Sequence, residues 1–350
     1  MKRVDFSLNW RRAEGGRRMF GPPAEGTPVN LPDDYIINKH RSPDVEGGAG
    51  TGFYPGGQAS YTKRFEADPA WADKTVLLDV DGAYMNAEVS LNGDLLCLHP
   101  YGYAPFVVDL TGSLRTDRPN ELTVTTDSVQ PSSRWYSGGG LYRQVSILAG
   151  GPVYIHPWYV FYVTESARSG KAVVRVEGKV SGATSAAGTL SARVKFDGVV
   201  RGETLVEGSG AFRFRAEIPS PRLWSADEPN LCDVTLEVLD GETVLDADVR
   251  KFGLRVIEID AEKGMRVNGV PVKLRGGCVH HDNTLIGARA LPRAEERKVE
   301  RLKAAGFNAI RCAHNPPSTA LLDACDRLGM YVLDESFDCW RVPKNALMAS

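Results

Sequence analysis

The 350-residue sequence is poor in cysteine, and the few it has are badly placed for pairing. Its six cysteines, Cys97, Cys232, Cys278, Cys312, Cys325 and Cys339, include no C-x-x-C pair. That excludes a disulfide framework of the small secreted kind. Cys232 stands alone in the middle third, so no disulfide is available there, and thiols kept reduced fit a cytoplasmic location. The opening MKRVDFSLNW has two basic residues but no apolar segment behind them, so no secretory signal is expected. No run is long and apolar enough to span a membrane. Charge of one sign is lacking too: the net charge is −2. Arg11, Arg12, Arg17 and Arg18 are too few and too scattered to follow a phosphate backbone, which argues against a nucleic-acid partner. What remains is ordinary, with 42% hydrophobic and 25% charged residues, the balance of a globular protein. Single cores stop growing at about 250–300 residues, so two or three domains are expected.

From Met1 to about residue 151 the pattern is short strands broken by turns. TVLLDVDGAYMNAEVSLNGDLLCL alternates apolar and polar residues on both sides of Asn92–Gly93–Asp94, the chemistry of a tight hairpin. A second all-β block covers 152–259. Its segments VVRVEGKV, LSARVKF, FRFRAEI and VTLEVLD show the two-residue period at the spacing of a small sandwich. The character changes in the last block, 260–350. VPVKLRGGCV reads as a mostly apolar strand. A helix follows, with Pro292 in its first turn, Glu295 and Glu296 near its positive end, Gly306 at its close, and Val299, Leu302 and Ala305 as its buried stripe. FNAIRCAH is the next strand. A second helix is capped by Ser318 and closed by Gly329, with Leu321, Leu322, Cys325 and Leu328 facing inward, and MYVLDES is the third strand. Strands alternating with helices at this spacing make parallel β/α units. Three strands do not close an eight-stranded barrel, so the chain is expected to stop inside one.

Parallel β/α folds present functional side chains at the carboxyl ends of their strands. His280 follows the first strand, His314 the second, and Asp334–Glu335 the third. Adjacent residues on a strand point to opposite sides, so at most one of that acidic pair faces a common site. His280, His281, Asp282 and His314 also invite a metal reading, but they lack the H-x-H spacing that puts two ligands on one face. No metal site is therefore expected from the spacing. Arg275 and Arg311 fall within strands read as buried, and a buried guanidinium implies a carboxylate partner. Arg311 and His314 are three apart, so both reach one pocket only if the strand ends or bulges before His314.

LPDDY, GGQASYTKRF, GYAPFVVDLT, SSRWYSGGGLYRQV, LRGGCVHHDN and, most specifically, FNAIRCAHNP…LLDACDRLGMYVLDE follow one another in an order that resembles glycoside hydrolase family 2. This is the group of bacterial β-galactosidases and β-glucuronidases, and the likeness runs from about Leu31 to Asn345. The resemblance implies a multidomain, mainly β fold: a jelly-roll sugar-binding sandwich, an immunoglobulin-like sandwich, and the first β/α units of a TIM barrel. It implies retaining hydrolysis of a terminal β-glycoside, of β-galactosidase type, with a β-linked oligosaccharide or glycoside as partner. Such chemistry uses two carboxyl groups about 5–5.5 Å apart. In the family these are glutamates on later barrel strands, the acid/base within an Asn-Glu pair. No such pair follows Glu335, so both are expected to be absent from this sequence and the chain to be inactive alone.

Other roles carry over by resemblance. His280 and His314 match sugar-contacting histidines, with Glu335 beside them. Arg311 matches the arginine that keeps the nucleophile ionised. Asp34 and the Ser133–Arg134 turn match first-domain positions that reach the sugar. Trp135 and Tyr136 are read as packing between jelly roll and barrel. The resemblance requires no cofactor, though it leaves room for a divalent or sodium ion in a complete enzyme and for a homo-oligomer. The rival readings are a non-catalytic carbohydrate-binding or scaffold protein and a metal-dependent barrel hydrolase.

Overall fold

The computed structural model describes residues 1–15, 26–131, 135–185 and 188–338. The first unit is two antiparallel sheets face to face. A six-stranded sheet runs in the order Thr27–Val29, Trp10–Glu14, Gly57–Phe65, Asn120–Ser128, Ala87–Leu91, Asp94–His99. A four-stranded sheet runs Lys2–Asp5, Val145–Gly150, Thr75–Val80, Phe106–Asp109. Asn120–Ser128 alternates buried and half-buried along its whole length, as a strand with one face on a core must. Trp10, Tyr61, Leu78, Val124 and Ile147 meet in that core. The hairpin at Asn92–Gly93 forms as expected, both residues having positive φ, 57° and 96°, the combination a two-residue turn between twisted strands needs.

The second unit is a sandwich of three strands (Tyr154–Arg168, Lys171–Ser181, Ala211–Pro219) against four (Val199–Leu205, Leu190–Phe196, Cys232–Asp240, Thr243–Phe252). Val174, Val176, Val194, Phe196 and Leu236 fill it. A small antiparallel sheet, Ile257–Asp260, Gly264–Val267 and Val270–Pro271, leads to three parallel strands: Gly276–Val279, Ala309–Cys312 and Tyr331–Leu333. Helices α1 (Pro292–Ala304) and α2 (Thr319–Leu328) connect them. Pro292 opens α1, and the Ser318 side chain accepts from Leu321 N to cap α2, which Gly329 closes in the left-handed region. Val299, Ile310, Cys312, Leu321 and Cys325 form the core between helices and strands. No helix is long and apolar enough to cross a membrane among the described residues.

Three local expectations fail. VPVKLRGGCV is not one buried strand: Val270–Pro271 belongs to the antiparallel sheet, and the parallel strand begins only at Gly276, with Gly276–Cys278 exposed. Arg275 precedes that strand, is exposed, and reaches the Gly306 carbonyl at 3.5 Å rather than a carboxylate. Left in water, its guanidinium has no buried charge to neutralise. Ala305 is exposed, because α1 ends at Ala304 and the chain turns away at Gly306. Glu295 is more than a dipole partner, being buried and held by Asn283 Nδ2 at 2.7 Å and Lys298 Nζ at 3.3 Å.

The jelly roll sits on the loops that follow the parallel strands. Arg143, almost wholly buried, donates to the Pro316 carbonyl (2.7 Å) and to Tyr103 O (2.9 Å). Thr319 Oγ1 donates to Asp81 Oδ1 (2.8 Å), and Ala290 N to Tyr142 O (2.9 Å). The second sandwich grips the opposite side, where Trp224 Nε1 donates to Asp326 O at 2.7 Å and its ring lies edge-on to Tyr331.

Candidate active site

The parallel strands end at Val279, Cys312 and Leu333, and the residues just beyond them converge. The His280 and His314 ring centroids are 5.8 Å apart with planes at 63°. Arg311, still on its strand, donates from Nε to Glu335 Oε1 at 2.8 Å, with Nη2 at 2.5 Å from the same oxygen. Its Nη1 lies 3.3 Å from Cys278 Sγ and its Nη2 3.5 Å from His314 Nδ1. His314 Nδ1 is in turn 3.4 Å from Glu335 Oε2. Residues from all three strands therefore share one network. The strand stops at Cys312, before His314, and so Arg311 and His314 meet despite their spacing.

Glu335, not Asp334, is the member of the acidic pair that enters the network. Burial pushes the Asp334 carboxyl upward, with the Glu335 N–H and Arg143 pulling the other way. Contacts with Cys278 and Glu335 push the Arg311 guanidinium still higher, so it stays charged. Burial lowers His280, which keeps its imidazole neutral near pH 7. A neutral imidazole can donate to one hydroxyl and accept from another.

His281 turns away from this group, as alternation requires. Its Nε2 is 2.9 Å from the Ser137 carbonyl, and its ring is packed edge-on to Tyr103 and Tyr142. Burial there lowers its pKa to about 4. Among the described residues no three His, Cys, Asp or Glu side chains converge where they would hold a metal.

Asp34 is not in the network. It has no exposed surface, and its carboxylate accepts four bonds: Ile36 N (3.0 Å) and Gly139 N (3.1 Å) on Oδ1, Tyr136 Oη (2.6 Å) and Ala288 N (2.8 Å) on Oδ2. Burial raises its pKa against the pull of those donors. Two of the partners come from YSGGG and one from the loop after the first parallel strand, so Asp34 ties jelly roll to barrel. The approach is close: a Cβ on Gly138 (φ +70°) would lie 2.8 Å from Asp34 Oδ2, which only glycine permits. Ser133 and Arg134 lie outside the described residues.

Trp135 does more than pack. It is 45% exposed, its ring is stacked on His280 with centroids 5.5 Å apart, and its Nε1 donates to Asp282 Oδ1 at 3.0 Å. Sequence reasoning gave Trp135 only a packing role, considered Asp282 only as a metal ligand, and assigned Cys278 nothing at this site. The signal for the first was its place beside a glycine run that lets two units approach.

Two sandwiches packed on a parallel β/α unit, with such a network at the strand ends, have the architecture of a multidomain glycoside hydrolase. Family models agree on both later units: "Glycosyl hydrolases family 2" matches 153–255, and "Glycosyl hydrolases family 2, TIM barrel domain" matches 257–339. The chain belongs to glycoside hydrolase family 2. It is 37% identical to the β-galactosidase BoGH2A of Bacteroides ovatus, over 99% of this chain and 42% of that protein. It is 33% identical to a putative β-glucuronidase of Formosa agariphila, over 89% of this chain and 30% of the relative. The crystal structure of a family 2 member from Bacteroides cellulosilyticus superposes with a TM-score of 0.90 at 35% identity, covering 99% of this chain and 47% of that one. The chain thus spans under half the length of these relatives.

Proposed function

We propose that this chain is the sugar-receiving part of a retaining β-glycosidase of β-galactosidase type, with units at 1–151, 152–259 and 260–350. The observation that carries the reading is the convergence of His280, His314, Arg311 and Glu335 at three successive strand ends. The neutral His280 suits bonds to sugar hydroxyls that strengthen as the oxocarbenium-like transition state forms. Arg311 supplies the fixed positive charge that keeps a neighbouring carboxylate ionised; within this sequence Glu335 fills that place. Relatives named β-galactosidase and β-glucuronidase support a β-glycoside as the substrate. The five described cysteines are free, in keeping with a reducing, cytoplasmic setting.

Hydrolysis relies on proton donation to the leaving oxygen and a carboxylate at the anomeric carbon. No Asn-Glu pair follows Glu335 in the sequence, and histidines do not replace those groups. The 350-residue chain is therefore expected to bind β-glycosides and not to turn them over. Assays with aryl β-galactoside and β-glucuronide, on this chain and on one extended through a complete barrel, test it. Activity only in the extended chain supports the reading. Turnover by the 350-residue chain that is abolished by Glu335→Ala would show that the catalytic carboxylates are misassigned. Binding without turnover in both would favour a carbohydrate-binding protein.

A further inference from the structure

The second structural surprise at this site is an aromatic residue delivered from another unit. Trp135 belongs to the segment after the jelly-roll strand Asn120–Ser128, yet its ring lies nearly parallel to the His280 imidazole, at 24° and 5.5 Å. Its indole N–H is spent on Asp282, two residues past that histidine. The neighbour Tyr136 is buried and bonded to Asp34, which fixes the backbone from which Trp135 projects. His280 is thus flanked by Trp135 on its face and by His314 edge-on. Nearly half of the tryptophan surface stays in water, although burial would be the usual fate of so large an apolar group.

We infer that Trp135 is a positioning residue for His280, and that the part of its indole left exposed beside the imidazole meets the apolar C–H face of a pyranose held by His280 and His314. The inference rests on the reading of that face as a sugar site. A tryptophan suits both tasks. Stacking limits the imidazole to one plane, and the bond to Asp282 keeps the indole from rotating away. With centroids 5.5 Å apart the imidazole covers only part of the indole, and the exposed remainder is a platform for a flat apolar partner beside it. Phenylalanine would keep the platform and lose the anchor, whereas leucine would lose both.

The charged or titrating groups around His280 are Asp282, His314, Arg311 and, at its carbonyl, Lys298; of these only Asp282 is bonded to Trp135, and Trp135→Phe releases it as Trp135→Leu does. The difference between those two variants in the His280 titration therefore reports the stacked ring. Long-range ¹H–¹⁵N spectra of the 350-residue chain, assigned through His280→Gln, would follow that ring. Methyl β-D-galactopyranoside would be titrated into the same samples. In Trp135→Leu the His280 midpoint is expected to rise by about half a unit or more as its face becomes solvated. Affinity is expected to fall about tenfold, equivalent to about 1.4 kcal/mol. Trp135→Phe should retain most of both properties. Distant backbone resonances check that each variant is folded.

An unchanged His280 midpoint in folded Trp135→Leu overturns the positioning role. Unchanged galactoside affinity overturns the platform. If the wild-type chain binds neither galactoside nor glucuronide while Trp135→Leu still moves the His280 midpoint, positioning stands, the platform falls, and the sugar-site reading fails with it.

Discussion

Asp34→Asn separates two functions of one buried carboxylate. Oδ1 accepts locally, from Ile36 N and Gly139 N at 3.0 and 3.1 Å. Oδ2 accepts from Tyr136 and from Ala288 N, the latter on the barrel side, at 2.6 and 2.8 Å. Asparagine keeps the first oxygen and puts an N–H₂ group where the second was, facing two donors. Each buried donor left unpaired costs about 1–3 kcal/mol, and the Tyr136 hydroxyl can rotate toward another acceptor while the Ala288 amide cannot. The sign of the ionisation term works the other way. Burial raises the folded-state pKa of Asp34, so its protonated form gains stability below the unfolded value and that gain is lost as pH rises through the folded value. At neutral pH, removing the buried charge therefore returns part of the cost. A net loss of about 2 kcal/mol follows, concentrated at the junction rather than in the jelly roll. Amide hydrogen exchange suits a chain of several units better than one unfolding midpoint. Protection of Ala288 N should fall roughly thirtyfold, the equivalent of about 2 kcal/mol, while jelly-roll strands such as Asn120–Ser128 change little. Unaltered protection at Ala288 would refute the assignment of Oδ2 as the link between units.

Three further outcomes follow. Gly287→Ala would put a Cβ 2.3 Å from Asp34 Oδ2 at a φ of +67°, and should cost about 2–3 kcal/mol, read as lost hydrogen-exchange protection at Ala288 N; a neutral result would mean that this loop yields freely. His281 is held neutral, its pKa lowered to about 4 from 6.5. The depressed value gives stability that is full above pH 6.5 and lost as pH falls toward 4, up to about 3 kcal/mol; His281→Phe should flatten that acid limb, and an unchanged limb would place the proton uptake elsewhere. Arg311 and Glu335 are both partly exposed, at 38% and 28%, so water screens the pair and Glu335→Gln should leave the unfolding midpoint little changed while loosening Arg311, visible as broadened Nε–H signals; a large loss of stability would mean that water does not reach the pair.

Local rules carried the reading of the elements. Pro292, Ser318 and Gly329 act within one turn of chain, and Asn92–Gly93 needs only its own dihedrals, so helix ends and hairpin were legible where they fell. Strand alternation in 173–180 reflects one buried face, which any sandwich core imposes. The convergence of His280, His314 and one acid was also legible, because parallel strands bring their carboxyl ends together whatever surrounds them. Tertiary packing decided the remainder. The choice of Glu335 over Asp334 depends on which side of the strand end Arg311 occupies. Arg275 escapes burial because it lies before the parallel strand, which starts only at Gly276 and is itself exposed there. The burial of Asp34 and the stacking of Trp135 on His280 join residues 254 and 145 positions from their partners. Contacts at that range are set by how one folded unit docks on another, and no sequence period records that docking.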